Sequence, residues 1–434
     1  MKQFDVAIIG GGIAGLVAAI DLAQAGKSVV LYEKSIQFGG RAISVKKNGA
    51  IFDMGSHAII KGGALHEILL DLSIRMEGGS PGTNVSFLWN NKVTHMYHFL
   101  LSSKLSWSGK MQFMKFFTTL TKLDADSVPA ISLRSWVEQK FSDPMTRHII
   151  YAMLRTNSYV RSIDHQMAGP ALRSVARTTK KNSIIYVQDG WQTIVDQLYE
   201  KAVRSGVSML NGKNVTEIKH DGAVRKIKFA DAQEMDVTHV ISAAPPAVTS
   251  RLLGEASCTS VLRWKEQARI IEAASLTLSL KRLSAPDHFA VLGLDQPVYF
   301  INQSKFTRLS EDGTSVVNIT KSNGTGGTDA KADERFLERT LDLIQPGWRN
   351  EVVARQYLPN ITVAYDFMNL GREDRFPGPA VPEIAGLYVA GEWATHGENL
   401  ADAAAASGRR AARRVLKDIG AVRSGHSGRE TLLV

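Results

Sequence analysis

A four-residue apolar run, Val6 to Ile9, feeds directly into Gly10-x-Gly12-x-x-Gly15, and few sequence features leave a chain so little choice of fold. The glycines open an Ala- and Leu-rich stretch that reads as a helix and stops at Gly26. A second apolar run, Val29 to Tyr32, follows and ends in Glu33. Strand, glycine turn, helix, strand and terminal acid in that order make a βαβ dinucleotide-binding unit. Gly10 permits the tight turn, Gly12 lets backbone N–H groups approach a pyrophosphate, and Gly15 lets the helix pack close on the strand. Ile13 and Ala14 then carry the first helical N–H groups, at the positive end of the helix dipole. Glu33, about 20 residues on, is placed to accept hydrogen bonds from an adenosine ribose, and its charge would repel a 2′-phosphate.

Lys34 follows, and then Gly39-Gly40-Arg41. Two glycines before an arginine make a second close backbone approach, with a cation suited to bidentate phosphate contact. With this element the chain resembles the flavin-containing amine oxidase and phytoene desaturase superfamily, whose N-terminal pattern is the dinucleotide fingerprint, Glu, then Gly-Gly-Arg. The resemblance implies FAD as the cofactor. It also implies that the turn Asp53-Met54-Gly55-Ser56-His57 runs beside the flavin ring, with Met54, Gly55 and Ser56 in contact with it. His57 reads as structural before it reads as a base. Val215, after Asn214, takes the position whose backbone holds the adenine in relatives.

The C-terminal block is the second half of the resemblance. An apolar run, Leu387 to Ala390, meets Gly391-Glu392-Trp393, and a short loop then feeds the small-residue helix Leu400-Ala401-Asp402-Ala403-Ala404. In the superfamily the acid at Glu392 bonds the ribityl chain, and the helix at Leu400, Ala401 and Ala404 aims its N-terminus at the N1–O2 edge of the flavin. Charge accumulating there on reduction would be stabilised by the helix dipole. Some members attach flavin covalently through a cysteine in the last third of the chain. Here the one cysteine is Cys258, so FAD is expected to be non-covalent.

Two departures bear on the substrate. Amine oxidases place an aromatic wall of their amine cage where this chain has Leu400. No partner aromatic is identifiable, although Tyr365 and Trp393 are candidates. An aliphatic residue there suits a small hydrophobic organic substrate, and the expected chemistry is hydride abstraction from a C–H bond to give C=C or C=N. An amine oxidase using O2 remains an alternative, as does a flavin-dependent isomerase or a structural-flavin protein. No catalytic side chain and no metal ligand set is identifiable. Lys281, aligned with a lysine that bridges water to the flavin in amine oxidases, reads as a surface strand residue.

The fold expected is α/β: a discontinuous Rossmann-type FAD domain formed by 1–65, 186–246 and 382–420, with a mixed α+β substrate domain from 66–185 and 247–381. Residues 66–185 read as mostly helical, with candidates Met111 to Leu123, Ser132 to Phe141 and Pro144 to Arg155. In 247–381, strands are expected at Ser275 to Leu280, Val298 to Asn302 and Ser315 to Thr320, and a helix at Asp333 to Ile344. Lys321 to Asp329 reads as a flexible loop and 421–434 as a flexible tail.

The net charge of +10 includes Arg409, Arg410, Arg413, Arg414 and Lys417, which read as a solvated helix face. Without stacking motifs it gives no support for nucleic-acid binding. A single cysteine and the lack of an ~18-residue apolar run make the expected location cytoplasmic. Ser106 to Lys122 mixes Trp, Phe and Lys; it reads first as a core helix with snorkelling lysines and second as a peripheral membrane contact.

Overall fold

The computed structural model describes residues 4–82, 85–254, 259–324 and 329–427, with no side-chain description for 259 and 421–427. Cys258 lies outside the described residues.

Two sheets organise the chain. The first has five parallel strands, in the order Ser208–Leu210, Val29–Tyr32, Val6–Ile9, Val240–Ser242 and Leu387–Val389. Its strands are short continuous apolar runs because both faces are covered. Helices Ile13–Gln24, Gln192–Arg204 and Leu400–Ser427 bury one face, where Leu16, Val17, Ile20, Ile194, Leu198 and Val415 meet. An antiparallel meander, Val215–His220, Val224–Phe229 and Glu234–Asp236, covers the other through Ile218, Val224, Ile227 and Phe229.

The second sheet has seven strands, in the order Val352–Ala364, Ile271–Leu280, Ser315–Ser322, Val298–Asn302, Ala290–Gly293, Ser86–Trp89 and Lys92–His95. Along Ile271–Leu280 the period is two. Leu276, Leu278 and Leu280 pack with Leu337, Leu341 and Ile344 of helix Ala330–Ile344. Ser275 and Thr277 point to the other face, where the Asn318 amide donates to both hydroxyls at 2.9 and 2.8 Å. This satisfied polar face lies against the first unit: Gln356 donates to the Asp53 carbonyl at 3.4 Å.

The expected helices form as Trp107–Lys122, Leu133–Lys140 and Pro144–Ser158, joined by an unforeseen Ala168–Thr178. Ser106, Ser132 and Asp143 each accept a hydrogen bond from the first turn of the helix that follows, which sets where those helices start. One further element was not expected, and two expectations need correction. Residues 66–185 also supply the hairpin Ser86–Trp89 and Lys92–His95, turned by Asn90 and Asn91 in the left-handed region (φ 49° and 57°). Lys321 and Ser322 belong to a strand, and Lys321 is anchored by Asp333 at 2.5 Å, so the expected loop does not begin there; 325–328 lie outside the described residues. The last helix continues past Gly420 to Ser427, and the remainder of the expected tail, 428–434, is likewise outside them.

Among the described residues no helix is long and apolar enough to cross a membrane.

Candidate functional site

The first strand ends at Gly10, whose φ of +108° only glycine adopts readily. The two other fingerprint glycines are required for different reasons. A Cβ on Gly15 would stand 2.0 Å from the Gly10 carbonyl oxygen, so its role is packing within the turn. A Cβ on Gly12 would have the Gly39 carbonyl, 3.9 Å away, as its nearest non-neighbouring atom. Space is therefore open beside Gly12, and helix Ile13–Gln24 starts there with no side-chain cap on its N–H groups. An elongated phosphate group fits such a cradle.

Gly39 and Gly40 stack directly on this turn. The Gly39 N–H donates to the Gly11 carbonyl at 2.8 Å, and a Cβ on Gly40 would sit 3.5 Å from the Gly12 Cα. Gly11, which sequence reasoning passed over, is equally constrained, because a Cβ there would come within 2.4 Å of the Phe38 ring. Glu33 is buried at the edge of the turn. Its carboxylate accepts from the Gly11 N–H at 2.7 Å and the Ser35 N–H at 2.8 Å. The segment leading to Val215 runs beside it: Lys213 N–H donates to the Glu33 carbonyl at 3.0 Å and Gly212 N–H to that of Ser35 at 3.0 Å. The structure thus brings Gly10, Gly12, Ile13, Ala14, Gly15, Glu33, Gly40 and Val215 into one neighbourhood. Lys34 points into solvent.

The C-terminal block returns to the same place. A Cβ on Gly408 would meet the Ala14 carbonyl oxygen at 2.2 Å, so the last helix crosses the first almost backbone to backbone. Ser407 fixes this junction by accepting from the Gly391 N–H at 2.9 Å and donating to the Gly391 carbonyl at 2.8 Å. Glu392 is buried and paired with Arg41 at 2.5 Å, and it also accepts from the Tyr365 N–H at 2.9 Å. Arg41 continues to the Val363 carbonyl at 2.8 Å and lies 5.1 Å from the centre of the Tyr365 ring. Ala401 and Ala404 sit half-buried on the last helix.

Leu400 stands at the head of that helix in the left-handed region, φ +53°, unusual for a bulky side chain. It lines a small cleft with Val160, Ile271, Ala364 and Phe367 on the apolar side and Asp366, Glu392 and Glu398 on the polar side. Each carboxylate already has a cation: Asp366 has Arg372 at 2.5 Å, Glu392 has Arg41, and Glu398 has Arg410 at 2.6 Å. Burial opposes ionisation of Glu398, but bonds from Arg410 and the His396 N–H outweigh it and hold the carboxyl below its usual range.

Beside this cavity is the 53–57 turn. Gly55 has φ +126° and faces Ile361. Met54 is half-buried. The Ser56 carbonyl accepts from the Tyr159 hydroxyl at 2.9 Å, and the Tyr186 and Tyr299 hydroxyls lie 3.3 Å apart. Burial pushes all three phenols up, which keeps them neutral donors. These tyrosines are far apart in the chain and no local motif marks them. Burial pushes His57 down and Asp53 up, and the imidazole packs on Trp191 at 5.2 Å between centroids, its buried Nδ1 without a hydrogen-bond partner among the described residues.

Three sequence readings are settled differently or more narrowly. Trp393 cannot wall the cavity: it is buried against Trp264, and its indole N–H donates to the Ala244 carbonyl at 3.0 Å. Lys281 is exposed. The basic helix is not simply a solvated face, since Arg409 turns inward to Asp21 at 3.0 Å and Asp71 at 2.6 Å.

Residues 13–416 match the family model described as flavin containing amine oxidoreductase. The chain is similar to carotenoid 3,4-desaturase of Haloarcula japonica, 55% identical over 51 residues, which are 12% of this chain and 10% of the relative. A longer similarity is to protoporphyrinogen oxidase of Bos taurus, 26% identical over 329 residues, spanning 65% of this chain and 68% of the relative. Among solved structures, an oxidoreductase from Methanosarcina mazei superposes with a TM-score of 0.77 at 19% identity, covering 93% of this chain and 99% of that one.

Proposed function

This chain belongs to the flavin containing amine oxidoreductase family, and on that premise we propose that it is a dehydrogenase of the desaturase type, acting on a hydrophobic organic substrate with non-covalently held FAD. Gly12, the N–H groups of Ile13 and Ala14, and Gly40 would hold the diphosphate. Glu33 and Val215 would hold the adenosine. Arg41, Glu392 and the head of the last helix at Leu400, Ala401 and Ala404 would hold the ribityl–flavin portion, with Met54, Gly55 and Ser56 along the ring. Bound there, FAD supplies the hydride acceptor for a substrate C–H bond. The chain's own part is to orient the substrate against the ring and to exclude water.

The observation that carries the substrate class is the charge state of the cavity. Where Glu392 and Leu400 would face the flavin, the rest of its wall is aliphatic and aromatic at Val160, Ile271, Ala364 and Phe367, and the carboxylates of Asp366 and Glu398, like that of Glu392, are each matched by an arginine. A substrate ammonium would find no free anion, and desolvating it without one is costly. An apolar substrate meets no such penalty.

An anaerobic titration of the yellow holoenzyme tests this. Polyisoprenoids are expected to bleach the oxidised flavin absorbance, whereas benzylamine and polyamines are not. Rapid peroxide formation from an amine in air would replace this reading with an amine oxidase. Reduction by an artificial donor, with no bleaching by either class, would favour an isomerase or a structural flavin.

A further inference from the structure

The helix Trp107–Lys122 has two apolar faces, and the protein core uses only one. Phe113, Phe116 and Leu120 are buried, as a core helix requires. Trp107, Met111 and Met114, spaced i, i+4 and i+7, form a stripe on the other side, 78%, 50% and 61% exposed. The short helix before it, Met96–Leu101, adds Tyr97 and Leu101, 65% and 61% exposed. The two pieces adjoin, since the Lys110 ammonium donates to the Leu101 carbonyl at 3.4 Å. Five large apolar side chains thus stand in solvent within eighteen residues of sequence, a grouping that scattered surface hydrophobes do not produce.

Charge identifies the partner. From 78 to 123 the chain carries five lysines, Lys92, Lys104, Lys110, Lys115 and Lys122, and no aspartate or glutamate. On the helix, Lys110 borders the exposed stripe on one side and Lys115 and Lys122 on the other. An apolar stripe framed by lysines is the pattern of a helix lying in a membrane interface, its apolar side chains among the acyl chains and its ammonium groups at anionic headgroups. A second copy of the same patch is a poor partner, because a two-fold contact would set lysines against lysines with no acid to separate them.

We propose that the exposed face of Met96–Leu101 and Trp107–Lys122 is a monotopic docking surface for an anionic lipid bilayer. The inference stands apart from the flavin reading, since it uses no residue of the cofactor site and is measured without turnover. It accounts for the apolar stripe and the acid-free segment together.

The test is sedimentation of the flavin-loaded, full-length protein with phosphatidylcholine vesicles, with and without phosphatidylserine. Binding is expected to the phosphatidylserine vesicles and to weaken as salt rises. The variant Trp107→Ser with Met111→Ser and Met114→Ser alters exposed side chains only, so it should keep its thermal midpoint and bind at least tenfold more weakly. Lys110→Gln with Lys115→Gln and Lys122→Gln should remove most of the phosphatidylserine dependence. Failure to bind phosphatidylserine vesicles overturns the proposal, as does equal binding to both vesicle types or unchanged binding by the serine variant. So does a protein that is dimeric in light scattering and becomes monomeric on the serine substitutions.

Discussion

Asp402, in the first turn of the last helix, accepts the backbone N–H of Leu65 at 2.9 Å and so caps a helix that begins 338 positions earlier, at Ala64. The contact is tight, because a Cβ on the intervening Gly63 would lie 2.3 Å from the carboxylate. Burial pushes the Asp402 carboxyl up to about 6 despite the bonds from Leu65 and Ala64 and the field of Arg177, with Glu398 adding to the rise.

A pH dependence follows from that carboxyl. Its folded-state value lies above the unfolded value of 3.8, so the native protein binds the extra proton between these limits. Stability therefore falls as pH rises from about 4 to about 6, then levels off with respect to this group. Asp402→Asn keeps an oxygen for Leu65 and removes the buried charge. Relative to the parent, it is expected to gain about 1–2 kcal/mol at pH 7.5 and little at pH 4, in denaturant titrations at both pH values.

The fingerprint glycines should separate folding from cofactor binding. Gly12→Val places its side chain in open space, so the protein is expected to melt at the parental temperature yet emerge colourless from gel filtration. Gly15→Ala drives a methyl into the Gly10 carbonyl, and a loss of about 1–3 kcal/mol or more in stability should precede any effect on flavin. A colourless Gly12 variant that is also unfolded would assign the turn a structural role.

Glu33 should fail in both respects. Removing its carboxylate in Glu33→Ala leaves the Gly11 and Ser35 N–H groups without their acceptor, besides removing the ribose contact proposed for it. The expected cost is about 1–3 kcal/mol in stability of the apoprotein and a similar loss in FAD affinity, read by denaturation and by flavin fluorescence titration.

Leu400→Tyr tests the cavity. The larger ring narrows the space bounded by Val160 and Phe367, so bleaching by a polyisoprenoid that reduces the parent should slow roughly tenfold. No new activity toward amines is expected, since the three carboxylates of the cavity remain paired. Faster amine oxidation by this variant would show that the aromatic wall, and not the charge balance, selects the substrate.

The first sheet was legible because its signals are local. Val6–Ile9 runs into Gly10, Val29–Tyr32 is an apolar run closed by Glu33, Leu387–Val389 is followed by Gly391, and the turn at Gly10 permits few alternatives. The hairpin after Ser86 was missed although its signal was present: Asn90-Asn91 is a pair that tolerates positive φ at both central positions, as a two-residue hairpin requires. Tyr159, Tyr186 and Tyr299 were not legible, since only the folded chain brings them to Ser56. The same holds for Arg409, whose partner Asp21 lies 388 residues away. Trp393 follows a recognisable motif, yet its neighbours Ala244 and Trp264 decide that it packs inward.

The parallel sheet takes its last strand from Leu387–Val389, alongside Val240–Ser242, and the crossing at Gly408 and Ala14 comes later still. During synthesis, then, the glycine turn at the start of the chain waits for nearly all of it. A nascent chain that stops short of residue 387 presents Val240–Ser242 as a bare sheet edge open to pairing with a neighbour. Arrest or clipping before residue 387 should therefore yield aggregating protein without cofactor, and not a shortened enzyme.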